Sequence, residues 1–386
     1  MINSNLYDNS SHYNHFDRCK NDYLEISTFL FLCVVIALVG YGLVTLYSAS
    51  YSEALNNGVR PAYYLIRQTF FALAGFAVFT LIAFVPLRFI KVLIFPFLVG
   101  TLFLMVLTLI TPFGVVKMGA RRWLQIGSLP SFQVSELLKV ATVLFLANIF
   151  SKEEKASTTL LIAIITLFIG SALVLLQRDY STTLVYVLVG LGMLLVAGLS
   201  LRYILMFSSF ISVSALVFLL IEPYRIKRVV SFIFPSIDPT GLNWQTQNAL
   251  KAISEGGILG KGLGKGIYKL GPIPEVHSDF IFASLMEEGG LVGFLILFFL
   301  FAVFAYIGFY TSRKLKNQGD LFGSYATFGI TFMIIWQALI NIAVVSSLLP
   351  PTGIPLPFFS QGGTNLFMVI GECGLLYSFM KKGQKE

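Results

Sequence analysis

Long apolar runs separated by short polar links dominate the chain. A helix needs about 20 largely apolar residues to cross a bilayer. Uncharged or nearly uncharged runs of that length are Ser27–Tyr47, Gln68–Pro86, Val92–Ile110, Thr158–Leu176, Tyr180–Leu201, Tyr203–Ile221, Gly289–Ser312 and Leu321–Val345. Two weaker runs hold charge inside them: Ser131–Phe150 with Glu136 and Lys139, and Thr364–Met380 with Glu372. The pattern predicts an all-α integral membrane protein of about ten spans, with both termini on one side. Two polar segments are longer than the other links, Thr111–Pro130 and Glu222–Ser278, the latter between the seventh and eighth spans. The expected organisation is a disordered cytoplasmic tail at 1–26, a membrane domain at 27–380 with a long extracytoplasmic loop at 222–278, and a short cytoplasmic tail at 381–386.

Composition sharpens this class. Only 12% of residues are charged, against roughly 25% in soluble domains. Residues 1–26 lack the apolar core of a signal peptide. Cys19, Cys33 and Cys373 are too few and too scattered for a disulfide framework. His12, His15 and His277 are the only histidines, two of them in the leading tail, which excludes a His-rich zinc or haem centre. The net charge of +8 reads as topology and lipid contact rather than nucleic-acid binding. Short links carrying Arg88, Lys91, Lys152, Lys155, Arg313, Lys314 and Lys316 place the termini inside. Both long segments then lie outside while being basic, against the usual trend, which points to anion binding.

The candidate chemistry clusters in those segments. Pro272-Ile273-Pro274-Glu275-Val276-His277-Ser278-Asp279 predicts a stiff, extended loop entering an apolar helix, with Ser278 and Asp279 as N-cap candidates. Asp279 is the candidate working carboxylate, with Glu275 and His277 beside it. Arg121, Arg122, Trp123 and Gln125 offer two guanidiniums, an aromatic plane and an amide, a set suited to a sugar phosphate or to anchoring at the lipid interface. Glu136 and Lys139 share a helix face, where charges inside a span either support a site or lock helices together, the first being favoured. Asp179 is a helix cap candidate. Glu287 and Glu288 either point inward or begin the long span. The glycine-rich stretch Gly256–Gly266 fails the phosphate-loop template and reads as a flexible, tightly turning loop. Pro350–Thr364, with four prolines and no charge, reads as a rigid wall re-entering the bundle.

Pro350–Gly363 resembles the signature of the SEDS family, which includes FtsW, RodA and SpoVE, and reads roughly P-P-T-G-I-P-L-P-F-x-S-x-G-G. Leu46–Ser50, Gly119–Gly127, Ser135–Lys139 and Pro274–Ala283 with Glu287-Glu288 carry the resemblance across nearly the whole chain. The resemblance implies a ten-span glycosyltransferase of the bacterial inner membrane that polymerises lipid II into peptidoglycan strands. It implies a class B penicillin-binding protein, a transpeptidase, as partner, along with other divisome membrane proteins. It maps the family's essential aspartate onto Asp279 and its Glu and Lys of the short fourth helix onto Glu136 and Lys139. Tyr224–Phe232 and Tyr268–Gly271 resemble the division branch, FtsW, which implies the septum; a RodA-type elongation polymerase is the near alternative.

The implied reaction joins the 4-hydroxyl of one lipid-linked disaccharide to the anomeric carbon of another and expels undecaprenyl pyrophosphate. It needs a base for the hydroxyl proton and cations for the leaving group. Asp279 fits the base, and Arg121, Arg122 and Lys139 are candidates for the pyrophosphate. A divalent ion on Asp279, Mg²⁺ or Mn²⁺, is an equal option. The rivals are a lipid II flippase, for which inverted repeats are expected and none is visible, and a scaffold without chemistry.

Overall fold

The computed structural model describes residues 8–117, 119–127, 130–152, 156–198, 242–271, 273 and 275–385, with isolated residues 202, 209, 230 and 232. Ten α-helices run through these residues: α1 (Asp8–Asn56), α2 (Tyr63–Phe84), α3 (Leu87–Ile110), α4 (Val134–Phe150), α5 (Ala156–Leu176), α6 (Tyr180–Val196), α7 (Leu242–Gly256), α8 (Ile281–Asn317), α9 (Leu321–Val345) and α10 (Gly363–Lys385). α1, α2, α3, α5, α8 and α9 are long and apolar enough to cross a membrane, and α6 is a shorter apolar helix. α4 and α10 match the two charge-bearing runs. The span expected at Tyr203–Ile221 lies outside the described residues, as do Pro272 and Pro274. α1 begins within the leading segment read as a tail, and its membrane-crossing part begins at Ile26.

One small element adds to the helical architecture. Among the described residues a small antiparallel sheet orders β1 (Gly114–Lys117), β2 (Ala120–Leu124) and β3 (Phe132–Gln133) side by side. Val115 lies opposite Trp123, and Trp123 opposite Gln133. Strands this short carry too little alternation to stand out in a sequence.

One end of the bundle gathers basic residues. Lys382 bonds Asp320 at 2.9 Å, Lys91 lies 4.8 Å from the Phe322 ring centroid, and Lys381 lies 5.2 Å from that of Phe84. Lys314 and Lys316 close α8 nearby, where cations also suit the helix dipole. The sheet, α7 and the Glu275–Asp279 turn connect the opposite ends of their helices. α4, α9 and α10 are buried along most of their length, and the exposed apolar side chains of α2, α3, α5 and α8 face lipid.

Candidate functional site

The Pro350–Gly363 wall is tied into the bundle by single polar side chains. Asn341 of α9 donates to the Ile354 carbonyl at 2.7 Å and to the Asp279 carbonyl at 2.8 Å. Gln68 of α2 donates to Ser360 O at 3.1 Å, and the Gln361 backbone N–H donates to His277 O at 2.9 Å. In a low-dielectric interior an unpaired amide costs about 1–3 kcal/mol, so each tie discriminates against misplaced wall geometry. Gly353 comes so close to Asp279 that a Cβ there would sit 3.4 Å from its Oδ2. The carboxylate is therefore partly buried between its own turn and the wall.

The expected capping does not occur. α8 begins at Ile281 with Phe280 at the N-cap and no side-chain cap bond. Residues 275–279 form a turn, in which Ser278 Oγ donates to Glu275 O and to Asp279 Oδ1 at 3.1 and 3.0 Å. The Asp279 carboxylate is thus not occupied by helix capping.

His277 is buried against Tyr64, ring centroids 5.1 Å apart. Burial pushes its imidazole below the ordinary value, which keeps it neutral near pH 7. Glu275 is pushed upward, first by desolvation and then by the charges of Glu53 and Asp279. Glu53 escapes sequence reasoning because it lies near the end of α1, far along the chain from the turn. No three His, Cys, Asp or Glu among the described residues converge as a metal ligand set.

The sheet hairpin is tied through α6 to the same wall. Arg121 gives its guanidinium to Thr111 O at 2.5 Å and Gly114 O at 3.3 Å, so it closes the hairpin onto the end of α3. Arg122 Nη1 pairs with Asp179 Oδ1 at 2.9 Å, while its Nε–H is buried without a hydrogen-bond partner. Asp179 is the N-cap of α6, accepting from Thr182 N, and also takes a bond from Gln133. Two residues on, Ser181 donates to Thr352 O, next to Gly353. This chain of contacts links Arg122 to Thr352, whose neighbour Gly353 approaches Asp279. Trp123 and Gln125 are half-buried, with the Gln125 N–H donating to Phe113 O.

Beneath the wall, Glu136 and Lys139 are buried and 3.0 Å apart. Asn365 donates to the other Glu136 oxygen at 3.1 Å, and Lys139 donates to Gln337 at 2.8 Å. Gln337 in turn donates to Pro355 O at 3.2 Å. The pair therefore supports the wall from below. Glu372, also buried, lies near this pair.

The glycine-rich stretch is not a flexible loop. Glu287 and Glu288 point inward, and the stretch wraps them. Gly264 N and Gly266 N donate to Glu288 at 3.1 and 3.3 Å, and Ile267 N and Tyr268 N donate to Glu287 at 2.6 and 3.2 Å. A Cβ on Gly266 would sit 2.9 Å from Glu287 Oε2, so only glycine allows this approach. Lys269 pairs with Glu288 at 2.5 Å, and Ser48 of α1 donates to the same carboxylate. The backbone amides cradle carboxylates of the protein itself.

The same stretch splints a break in α8. Gly290 has φ 59° and ψ −156°, a conformation open essentially to glycine. The break frees backbone groups that the hairpin takes up: Lys261 N and Gly262 N donate to Glu287 O and Glu288 O, while Leu291 N and Val292 N donate to Gly257 O and Ile258 O, all within 2.9–3.1 Å. Gly290→Ala should cost at least the roughly 1–3 kcal/mol of backbone strain, and its Cβ would lie 2.4 Å from Gly260 N. We expect a lowered melting temperature in detergent and faster proteolysis within residues 256–271. Unchanged melting and protection would contradict the splint.

Asn341, Gln337, Asn365 and Gln68 belong to the site without standing out in the sequence, and Ser48 and Lys269 entered only within stretches that carried the resemblance. For the amides the available signal is one polar side chain in an otherwise apolar span.

Comparison with known proteins gives a consistent picture. The family model FTSW_RODA_SPOVE, described as cell cycle protein, matches residues 28–385. A probable peptidoglycan glycosyltransferase FtsW from Borreliella burgdorferi is 35% identical over 356 residues, covering 91% of this chain and 96% of that protein. One of the same name from Bacillus subtilis is 35% identical over 361 residues, covering 89% and 87%. Among solved structures, a chain of a peptidoglycan synthase complex, described for its coordination of polymerization and crosslinking, aligns with TM-score 0.75 at 26% identity, covering 93% of this chain and 98% of that one. Rod shape determining protein RodA of Thermus thermophilus has the same fold, with TM-score 0.67 at 24% identity over 91% and 96%.

Proposed function

The chain belongs to the FtsW, RodA and SpoVE family of cell cycle proteins, and from that premise we propose that it is a peptidoglycan glycosyltransferase of the division type, polymerising lipid II in the cytoplasmic membrane. The observation that carries the reading is the Asp279 carboxylate. It is partly buried, takes no part in helix capping, and is held against a rigid wall by Asn341.

In the reaction the acceptor 4-hydroxyl loses its proton to an Asp279 Oδ as its oxygen bonds the donor anomeric carbon. The bond from that carbon to the pyrophosphate oxygen breaks with its electron pair, releasing undecaprenyl pyrophosphate. Arg122 serves the leaving group best, since its guanidinium is partly exposed and suits phosphate oxygens. Arg121 and Lys139 are assigned to holding the hairpin and the wall, their donors being engaged within the protein. His277, neutral and buried, and Glu275 shape the turn around the base. The oxygen donors of Asp279 suit a hard ion such as Mg²⁺, which binds through one or two carboxylates plus waters and would neutralise pyrophosphate charge.

The test is polymer formation from lipid II by the purified chain with a class B transpeptidase partner. Glycan polymer supports the enzyme. Lipid II crossing the bilayer without polymer would replace the reading with a flippase, and neither activity would leave a scaffold.

Residues 222–278 are placed on the outer face and both termini inside. A cysteine at Lys265, on a cysteine-free background, should react with an impermeant thiol reagent on spheroplasts, and one at Gln384 should not. The reverse pattern would invert the orientation.

A further inference from the structure

Three apolar side chains of the glycine-rich hairpin stand exposed among the described residues: Ile258, Leu259 and Leu263 are 69%, 79% and 65% exposed. A cluster of this kind on a polar loop marks an interaction surface. Its position along the molecule is set by the splint, because Leu291 N and Val292 N donate to Gly257 O and Ile258 O at 3.0 and 3.1 Å. Leu291 and Val292 are themselves exposed and begin the stripe continued by Leu295, Ile296, Phe298 and Phe299. At about 1.5 Å per residue, the run from Leu291 to the Arg313–Lys316 cluster has roughly the length of the ~30 Å hydrocarbon core. Leu291 therefore stands at a membrane boundary, and the hairpin is fixed at that depth.

We propose that the 257–263 hairpin inserts Ile258, Leu259 and Leu263 into the lipid interface and so anchors to the bilayer the loop that leads to Asp279. Continuity with the lipid-facing stripe of α8 names lipid rather than another protein as the occupant. Charge agrees: Lys265 is exposed beside the hairpin, which suits phosphate headgroups above an inserted apolar edge. Lys261, by contrast, is engaged by Glu255 and Glu287. The glycines serve this placement, since they let the carboxylates of α8 hold the backbone while Ile258, Leu259 and Leu263 turn outward. The anchoring is independent of the chemistry proposed above and of which face is outside.

The test uses the full-length chain in phospholipid nanodiscs, with Cys19→Ser, Cys33→Ser and Cys373→Ala removing the native thiols. A nitroxide is placed at position 259, with position 295 as the lipid reference and position 251 as the water reference. Accessibility to oxygen is compared with accessibility to a water-soluble nickel chelate. The oxygen-to-nickel ratio at 259 is expected to approach that at 295 and to exceed that at 251 several-fold. With Leu259→Asp and the label moved to 263, nickel accessibility should rise several-fold as the edge leaves the lipid. A ratio at 259 equal to that at 251 would overturn the proposal, and protection of 259 from both reagents would overturn it in favour of a protein contact.

Discussion

Asp279→Asn is expected to lower glycan polymerisation by about 10²–10⁴-fold, the usual contribution of a positioned general base. The exchange keeps the volume of the side chain and removes only its capacity to take a proton. Its structural cost is small for reasons visible in the site. The carboxylate caps no helix, and a bond from Asn341 to the backbone carbonyl of this residue is untouched by the exchange. The Ser278 hydroxyl can donate to an amide oxygen as it does to Oδ1. Melting temperature and association with the transpeptidase should therefore stay near wild type. Polymer formed from lipid II is measured at matched, partner-bound protein. Retention of more than about a tenth of the wild-type rate, against that 10²-fold floor, would remove Asp279 from the base role and shift attention to Glu275 or Glu136.

The second large effect falls on stability. Lys139→Met should cost about 3–5 kcal/mol, because it leaves the Glu136 carboxylate buried without its cation. The Gln337 oxygen also loses a donor. The double variant Glu136→Gln with Lys139→Met restores neutrality and should recover much of the folded protein. Polymerisation should not recover with it, because Gln337 then loses the lysine that orients it towards Pro355 and the wall beneath Asp279. Folded yield and melting in detergent report the first effect, and polymer per folded protein reports the second. Full activity in the double variant would reduce the pair to a tie between helices.

Several parts of the site are legible in the amino-acid sequence. Glu136 and Lys139 stand out because charge within an apolar run is costly and a spacing of three sets them on one face. Asp179 stands out as a cap. The proline-rich wall is recognisable because irregular backbone without charge has no reason to sit in water. Ser278 and Asp279 have the residue type of caps, but the chain turns at 275–279 and enters the helix only at Ile281. The glycine-rich stretch has the composition of a flexible loop and is instead bound along its length. Glycine frees a backbone equally for motion and for close approach, and only its partners distinguish the two.

The class of the protein, the run of its spans and the polar segments between them follow from the sequence by itself. Hydropathy is a local property, and the length of an apolar run is measured against a bilayer of fixed thickness. Tertiary structure alone decided which polar groups meet. Asn341 with Asp279, Lys139 with Gln337, Arg122 with Asp179, and Glu287 and Glu288 with the amides of residues 264–268 join elements distant in the chain. Lipid-facing and protein-facing surfaces are both apolar here, so no periodic contrast along a helix says which face packs inward. The partners of each buried polar atom are fixed only when the helices pack, because an unpaired one in that interior is too costly to keep.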